Sequence, residues 1–228
     1  MEAPGRGINE EKDSRFANGI WMDRLQRGRV EQAYGCTGKG PELAECLREA
    51  GAMTLTAAAA ALGCGRLEAG GAAKSLWSSG MLEIFRVFSK DRYGVSAQFQ
   101  LWLVKGSQPP VDAREGCRLA ALALFYGHAR SEMPGFGWRL TRGPRQPVMA
   151  EVTFRNAEDE TVRWLVDVPR RGQEPWPEAD LFIFPTRGEA QRQTPVGKRY
   201  TWDLGVINAR PDELREAVKL KKLLGPTS

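Results

Sequence analysis

The sequence predicts an α+β protein: a winged helix-turn-helix over residues 36–105, then an α/β sandwich with a mixed central sheet over residues 111–228. Three observations carry this. Thr54–Val104 passes through two helix-like stretches, broken at Gly63-Cys64-Gly65 and at Gly80, into two runs of β-formers. Lys105–Pro110 sets two prolines and a glycine among polar residues, a boundary where few contacts need cross. Beyond it, one long apolar helix is followed by several extended runs and a last helix.

In chain order, Met1–Gly7 is Pro/Gly-rich and expected to be loose. Residues 1–35 form an N-terminal arm in which Phe16, Ile20, Trp21 and Leu25 suggest a helix over Asn9–Tyr34. That helix could lie on the winged domain or dock on a second copy to give a homodimer. Its Arg24, Arg27 and Arg29 read as a basic face or as an ordinary solvated one. Gly35–Gly40 looks like a phosphate loop but lacks the Gly-Lys-Ser/Thr order and a preceding strand, which excludes a nucleotide site. Pro41 and Glu42 open a helix with an apolar stripe of Leu43, Cys46, Leu47 and Ala50, closed by Gly51. Thr54 is placed to cap the Ala57–Ala61 run. Arg66–Ser79 then sets Leu67, Ala73, Leu76 and Trp77 at spacings that can share one face. Met81–Phe88 and Val95–Leu103 pair as a hairpin with the polar tip Ser89–Gly94.

This order makes double-stranded DNA the expected partner. A recognition helix in the major groove would offer Arg66, Lys74, Ser75 and Ser78, and the wing would bring Lys90 and Arg92 to phosphates. The formal net charge of +5 and the pI near 9.2 agree with a polyanion partner, although the excess is thinly spread. No apolar run is long enough to span a bilayer and no hydrophobic signal core follows Met1, so a cytoplasmic protein without a membrane partner is expected. Cys36, Cys46, Cys64 and Cys117 form no Cys-x-x-Cys pair, which predicts free thiols and no zinc site. His128 is the only histidine, and this excludes most histidine-dependent hydrolase schemes. It is read as structural, at a helix C-terminus that would favour its charge. No cofactor is expected.

The second half opens with a largely buried helix, Ala113–Ala129, bearing Leu119, Leu122, Ala123, Phe125 and Tyr126. Strands are predicted at Gly137–Leu140, Val148–Phe154, Thr161–Val168, Asp180–Pro185 and Tyr200–Ile207. Leu181–Phe184 is apolar on both faces, as a central strand is. A last helix starts at Pro211, carries Leu214, Ala217, Val218, Lys221 and Leu224, and ends at Gly225-Pro226. Trp138, Trp164, Trp176 and Trp202 belong to the core or line a ligand cleft.

The order of elements, with Pro177-Glu-Ala-Asp180 before an apolar strand and Thr201-Trp-Asp203 beyond it, resembles the replication-relaxation proteins of plasmids and integrative elements. The resemblance covers about two thirds of the chain and implies a nuclease-like second half akin to the PD-(D/E)xK fold. It also implies a DNA-binding accessory protein that positions replication or relaxase machinery. If such a domain cut DNA, Asp180 and Asp203 would converge on Mg²⁺, with a lysine to activate water. Gly205 stands where that lysine belongs and Lys198 lies before the strand, so the expectation is a non-catalytic scaffold with no bound metal. Glu151 is a further carboxylate, or simply the outward side chain of an amphipathic strand. Two alternatives stay open: a metal-dependent endonuclease targeted by its winged helix, and a transcriptional regulator whose C-terminal domain dimerises or binds a ligand.

Overall fold

A computed structural model describes residues 20–26, 38–90, 96–143, 146–208 and 214–221. It is α+β, with two separate sheets. The first helix, α1 (Gly40–Ala50), has Pro41 in its first turn, buries Leu43, Ala44, Cys46, Leu47 and Ala50, and stops at Gly51 in the left-handed conformation (φ 77°). Helix α2 (Leu55–Ala61) is capped by Thr54, whose side chain accepts the Ala57 N–H at 3.3 Å. Helix α3 (Arg66–Ser78) follows the turn at Gly63–Gly65. Strands β2 (Leu82–Lys90) and β3 (Ser96–Val104) form the expected hairpin, with Leu82 opposite Val104.

Strand β1 (Ile20–Arg24) departs from expectation. This part of the predicted N-terminal helix is extended and pairs antiparallel with β2, Ile20 opposite Ser89, giving the sheet order β1-β2-β3. Ile20 and Met22 pack on Val87, Ala113 and Cys117, while Trp21, 43% exposed, stacks on Phe88 from the other face. The pairing satisfies the backbone groups of β2 that the hairpin alone would leave open. The rest of the predicted arm, including Arg27 and Arg29, lies outside the described residues.

Helix α4 (Ala113–Glu132) is capped by Asp112, whose side chain accepts the Glu115 N–H at 2.7 Å, and is buried on almost every side from Gly116 to Ala129. It packs on a six-stranded mixed sheet of consecutive order: β4 (Gly137–Gly143), β5 (Gln146–Arg155), β6 (Thr161–Asp167), β7 (Leu181–Phe184), β8 (Arg199–Trp202) and β9 (Lys219–Leu220). The β6–β7 and β7–β8 pairs are parallel and the others antiparallel. Between β7 and β8 runs α5 (Arg187–Gln193), an element absent from the sequence reading, which covers the outer face of Phe182 and Phe184. The strand expected over Tyr200–Ile207 ends at Trp202, and Asp203 opens a short helix, α6 (Asp203–Asn208). Of the last predicted helix, α7 (Leu214–Ala217) is described. The chain then turns into β9, so Lys221 and its neighbours do not continue a helical stripe.

One hydrophobic core runs through both halves, from Leu43 and Leu76 through Leu122 and Phe125 to Val166 and Ile183. Lys105–Pro110 therefore crosses no polar gap. Helices α2 and α4 cross closely: a Cβ placed on Gly127 would stand 2.7 Å from the Ala57 carbonyl oxygen and 3.0 Å from the Ala60 Cβ.

Candidate functional site

Helix α3 buries Ala69, Ala72, Ala73 and Leu76, a stripe at spacings of three and four. Leu67 does not join them. It is out of phase with that stripe and is 95% exposed. At about 100° per residue, Leu67, Gly71, Lys74 and Ser78 form one outward stripe, with Leu67, Gly71 and Lys74 exposed and Ser75 and Ser78 half-buried beside them. A Cβ at Gly71 would meet no heavy atom within 4 Å. Arg66 is exposed as well, but lies eight residues before Lys74 and so about 80° round the helix. It lines a cleft together with Thr54, Leu55 and Thr56 at the start of α2. The predicted polar set thus divides, with Lys74, Ser75 and Ser78 on the outer side and Arg66 at its flank. Lys90 ends β2 opposite Ser96, and Arg92 lies outside the described residues.

Among the described residues, neither Arg66 nor Lys74 is held by an ion pair. Two cations of the first sheet are committed: Arg86 grips both oxygens of Asp23 at 2.9 and 2.8 Å, and Arg24 meets Glu83 at 2.7 Å.

The carboxylates that an active nuclease would bring together on a metal do not meet. Strands β7 and β8 run parallel, with Leu181 opposite Arg199 and Phe184 opposite Trp202. Asp180 precedes β7 and Asp203 follows β8, so the two stand at opposite ends of the sheet. Four residues of strand separate these ends, about 13 Å of rise. Each is also engaged. Asp180 accepts the Leu165 N–H at 2.9 Å and lies 3.5 Å from Lys198, and Asp203 receives Arg170 Nη1 on both oxygens at 3.0 Å. Glu151 sits on the outer face of the sheet between Arg139 and Arg163, whose hydrogen bonds hold its carboxyl below the usual range. Among the described residues, no three His, Cys, Asp or Glu side chains gather as a metal site.

A buried ionic network was not anticipated. Arg118, in the apolar part of α4, donates to Asp167 at 2.8 Å and to the Val168 carbonyl at 2.9 Å. Asp167, 1% exposed, also accepts the Val168 and Trp176 N–H groups at 2.7 and 2.9 Å. Beside it Arg170 bridges Asp203 and the Cys117 carbonyl. The sequence sign was Arg118, set within the stretch of α4 otherwise bound for the core.

His128 is buried in α4, and burial pushes its imidazole below the usual value, overriding the helix-end effect expected to favour its charge. Cys46, Cys64 and Cys117 are free thiols, and Cys36 lies outside the described residues. Of the four tryptophans, Trp138 packs against Phe125, Tyr126 and Phe136, Trp164 against Phe154, and Trp202 lies under Arg187. Trp176 is 39% exposed. No helix among the described residues is long and apolar enough to cross a membrane. Set against protein-family models, curated proteins and solved structures, the chain matches none of them.

Proposed function

We propose that α1, α2, α3 and the β2–β3 hairpin act as a winged helix-turn-helix that binds duplex DNA, with α3 as the helix that enters the major groove. The second half serves as a non-catalytic, nuclease-like scaffold. One observation carries the reading: the third helix of this unit turns a stripe to solvent, with Lys74 available to phosphates or base edges and Leu67 to a thymine methyl. Gly71 leaves that stripe flat, so a DNA backbone could approach closely. The separation of Asp180 from Asp203 supports the non-catalytic part, since hydrolysis by two carboxylates requires both on one metal. The resemblance to replication-relaxation proteins supports an accessory role in positioning replication or transfer machinery.

The test is anisotropy of a labelled mixed-sequence duplex over a salt series. Affinity is expected to fall as salt rises, with a log–log slope of roughly −0.9 per neutralised phosphate. Lys74→Glu is expected to weaken binding at least tenfold while leaving the melting temperature unchanged. Equal binding by wild type and Lys74→Glu would remove α3 from the interface.

A further inference from the structure

Between the two halves lies a cleft of about 380 Å³. Its floor is apolar, made by Ala121 and Leu124 of α4 with Ile183 of β7 and Val206 of α6. Phe99 and Trp102 of β3 close one side. Ile207, 47% exposed, stands at its rim, so the site presents apolar surface to water that a bound molecule would cover. The size and lining suit a small organic molecule. The position suits one too, because the cleft opens at the carboxyl ends of the parallel strands β7 and β8, where open sheets with parallel strands place their ligands.

Charge chooses the class of molecule. Among the described residues, two charged side chains reach the cleft, Asp203 and Arg66. Asp203 has both oxygens on Arg170, which offsets its charge. Arg66 comes from the first turn of α3, is exposed, and among the described residues has no ion-pair partner, so its guanidinium is left to face an anion. Gln98 adds an amide on the same lining. We infer that this cleft binds a small amphipathic carboxylate, its apolar body against Leu124, Ile183 and Val206 and its carboxylate on Arg66. Binding there is reversible: Cys117 also reaches the lining, but burial pushes its thiol up to about 12, so it stays protonated and is a poor nucleophile near neutral pH. The assignment stands apart from the DNA reading, and its test contains no DNA.

The probe is 2-naphthoate, with 2-naphthylmethanol as its uncharged counterpart, titrated into the full chain carrying labelled isoleucine and leucine methyl groups. The Ile183 and Ile207 methyl signals are expected to shift and saturate with naphthoate, while Leu140, on β4, stays in place. Arg66→Ala, a change on an exposed side chain, is expected to raise the naphthoate dissociation constant at least fivefold and to leave that of the alcohol unchanged. The inference is overturned if Ile183 and Ile207 do not move up to the solubility limit of the probe. It is equally overturned if the acid binds no better than the alcohol and Arg66→Ala alters neither.

Discussion

Helices α3 and α4 each carry glycine in the interior, and for opposite reasons. Gly127 of α4 is squeezed against the Ala57 carbonyl, whereas Gly71 of α3 faces open space. Glycine costs a helix about 1 kcal/mol relative to alanine. In α4 that cost is met by close contact with α2, and in α3 no contact among the described residues repays it. The contrast separates a helix that organises the fold from one that is displayed.

Three substitutions test the contrast. The largest effect is expected from Asp167→Ala, which leaves Arg118 buried without its counter-ion and strips an acceptor from the Val168 and Trp176 N–H groups. Breaking a buried pair on one side costs roughly 3–5 kcal/mol, read as a lower denaturant midpoint. A loss under about 1 kcal/mol would mean that α4 is not pinned to the strand ends by this network. Next comes Gly127→Val, whose side chain must displace the α2 backbone. Overpacking of this kind costs up to about 3 kcal/mol, a fall of about 6–12 °C in Tm for a chain of this size. An unchanged Tm would show that α2 can move away from α4, and the contrast would fail. Smallest, and of opposite sign, is Gly71→Ala, expected to raise stability by about 1 kcal/mol and Tm by 2–4 °C. A decrease would mean that another molecule, such as a second copy, covers α3 in solution.

Much of the displayed helix was legible in sequence. Its boundaries followed from Gly65 and Gly80, but of the face expected from Leu67, Ala73, Leu76 and Trp77 only Ala73 and Leu76 are fully buried, joined by Ala69 and Ala72, while Leu67 stands in water. That Arg66 and Lys74 diverge was also available, since eight residues do not close a whole number of turns. Helix α5 left a sign too, a Thr186-x-x-Glu189 pair in which Thr186 accepts the Glu189 N–H at 3.1 Å. Strand β1 was not legible. Ile20, Trp21 and Leu25 fit helical spacing as well as extended pairing, and the decision comes from the open edge of β2, more than 60 residues away in the chain. That Asp180 and Asp203 lie at opposite strand ends was not legible for a related reason. Both flank short apolar strands, but only the parallel direction of β7 and β8 shows that one precedes its strand and the other follows it. Direction is a property of the connection, here through α5, and no single strand encodes it.

The α2–α4 contact also bears on how this chain can be divided. Gly51 faces Leu140 across the same boundary, so close that a Cβ there would collide with the leucine side chain. A fragment ending near Val104 would uncover the alanine face of α2, and its complement would uncover one side of α4. Neither piece is a cassette that recombination or an engineer could move into another protein intact. Whatever α3 contacts, it does so from a unit whose α2 is packed against α4 of the second half.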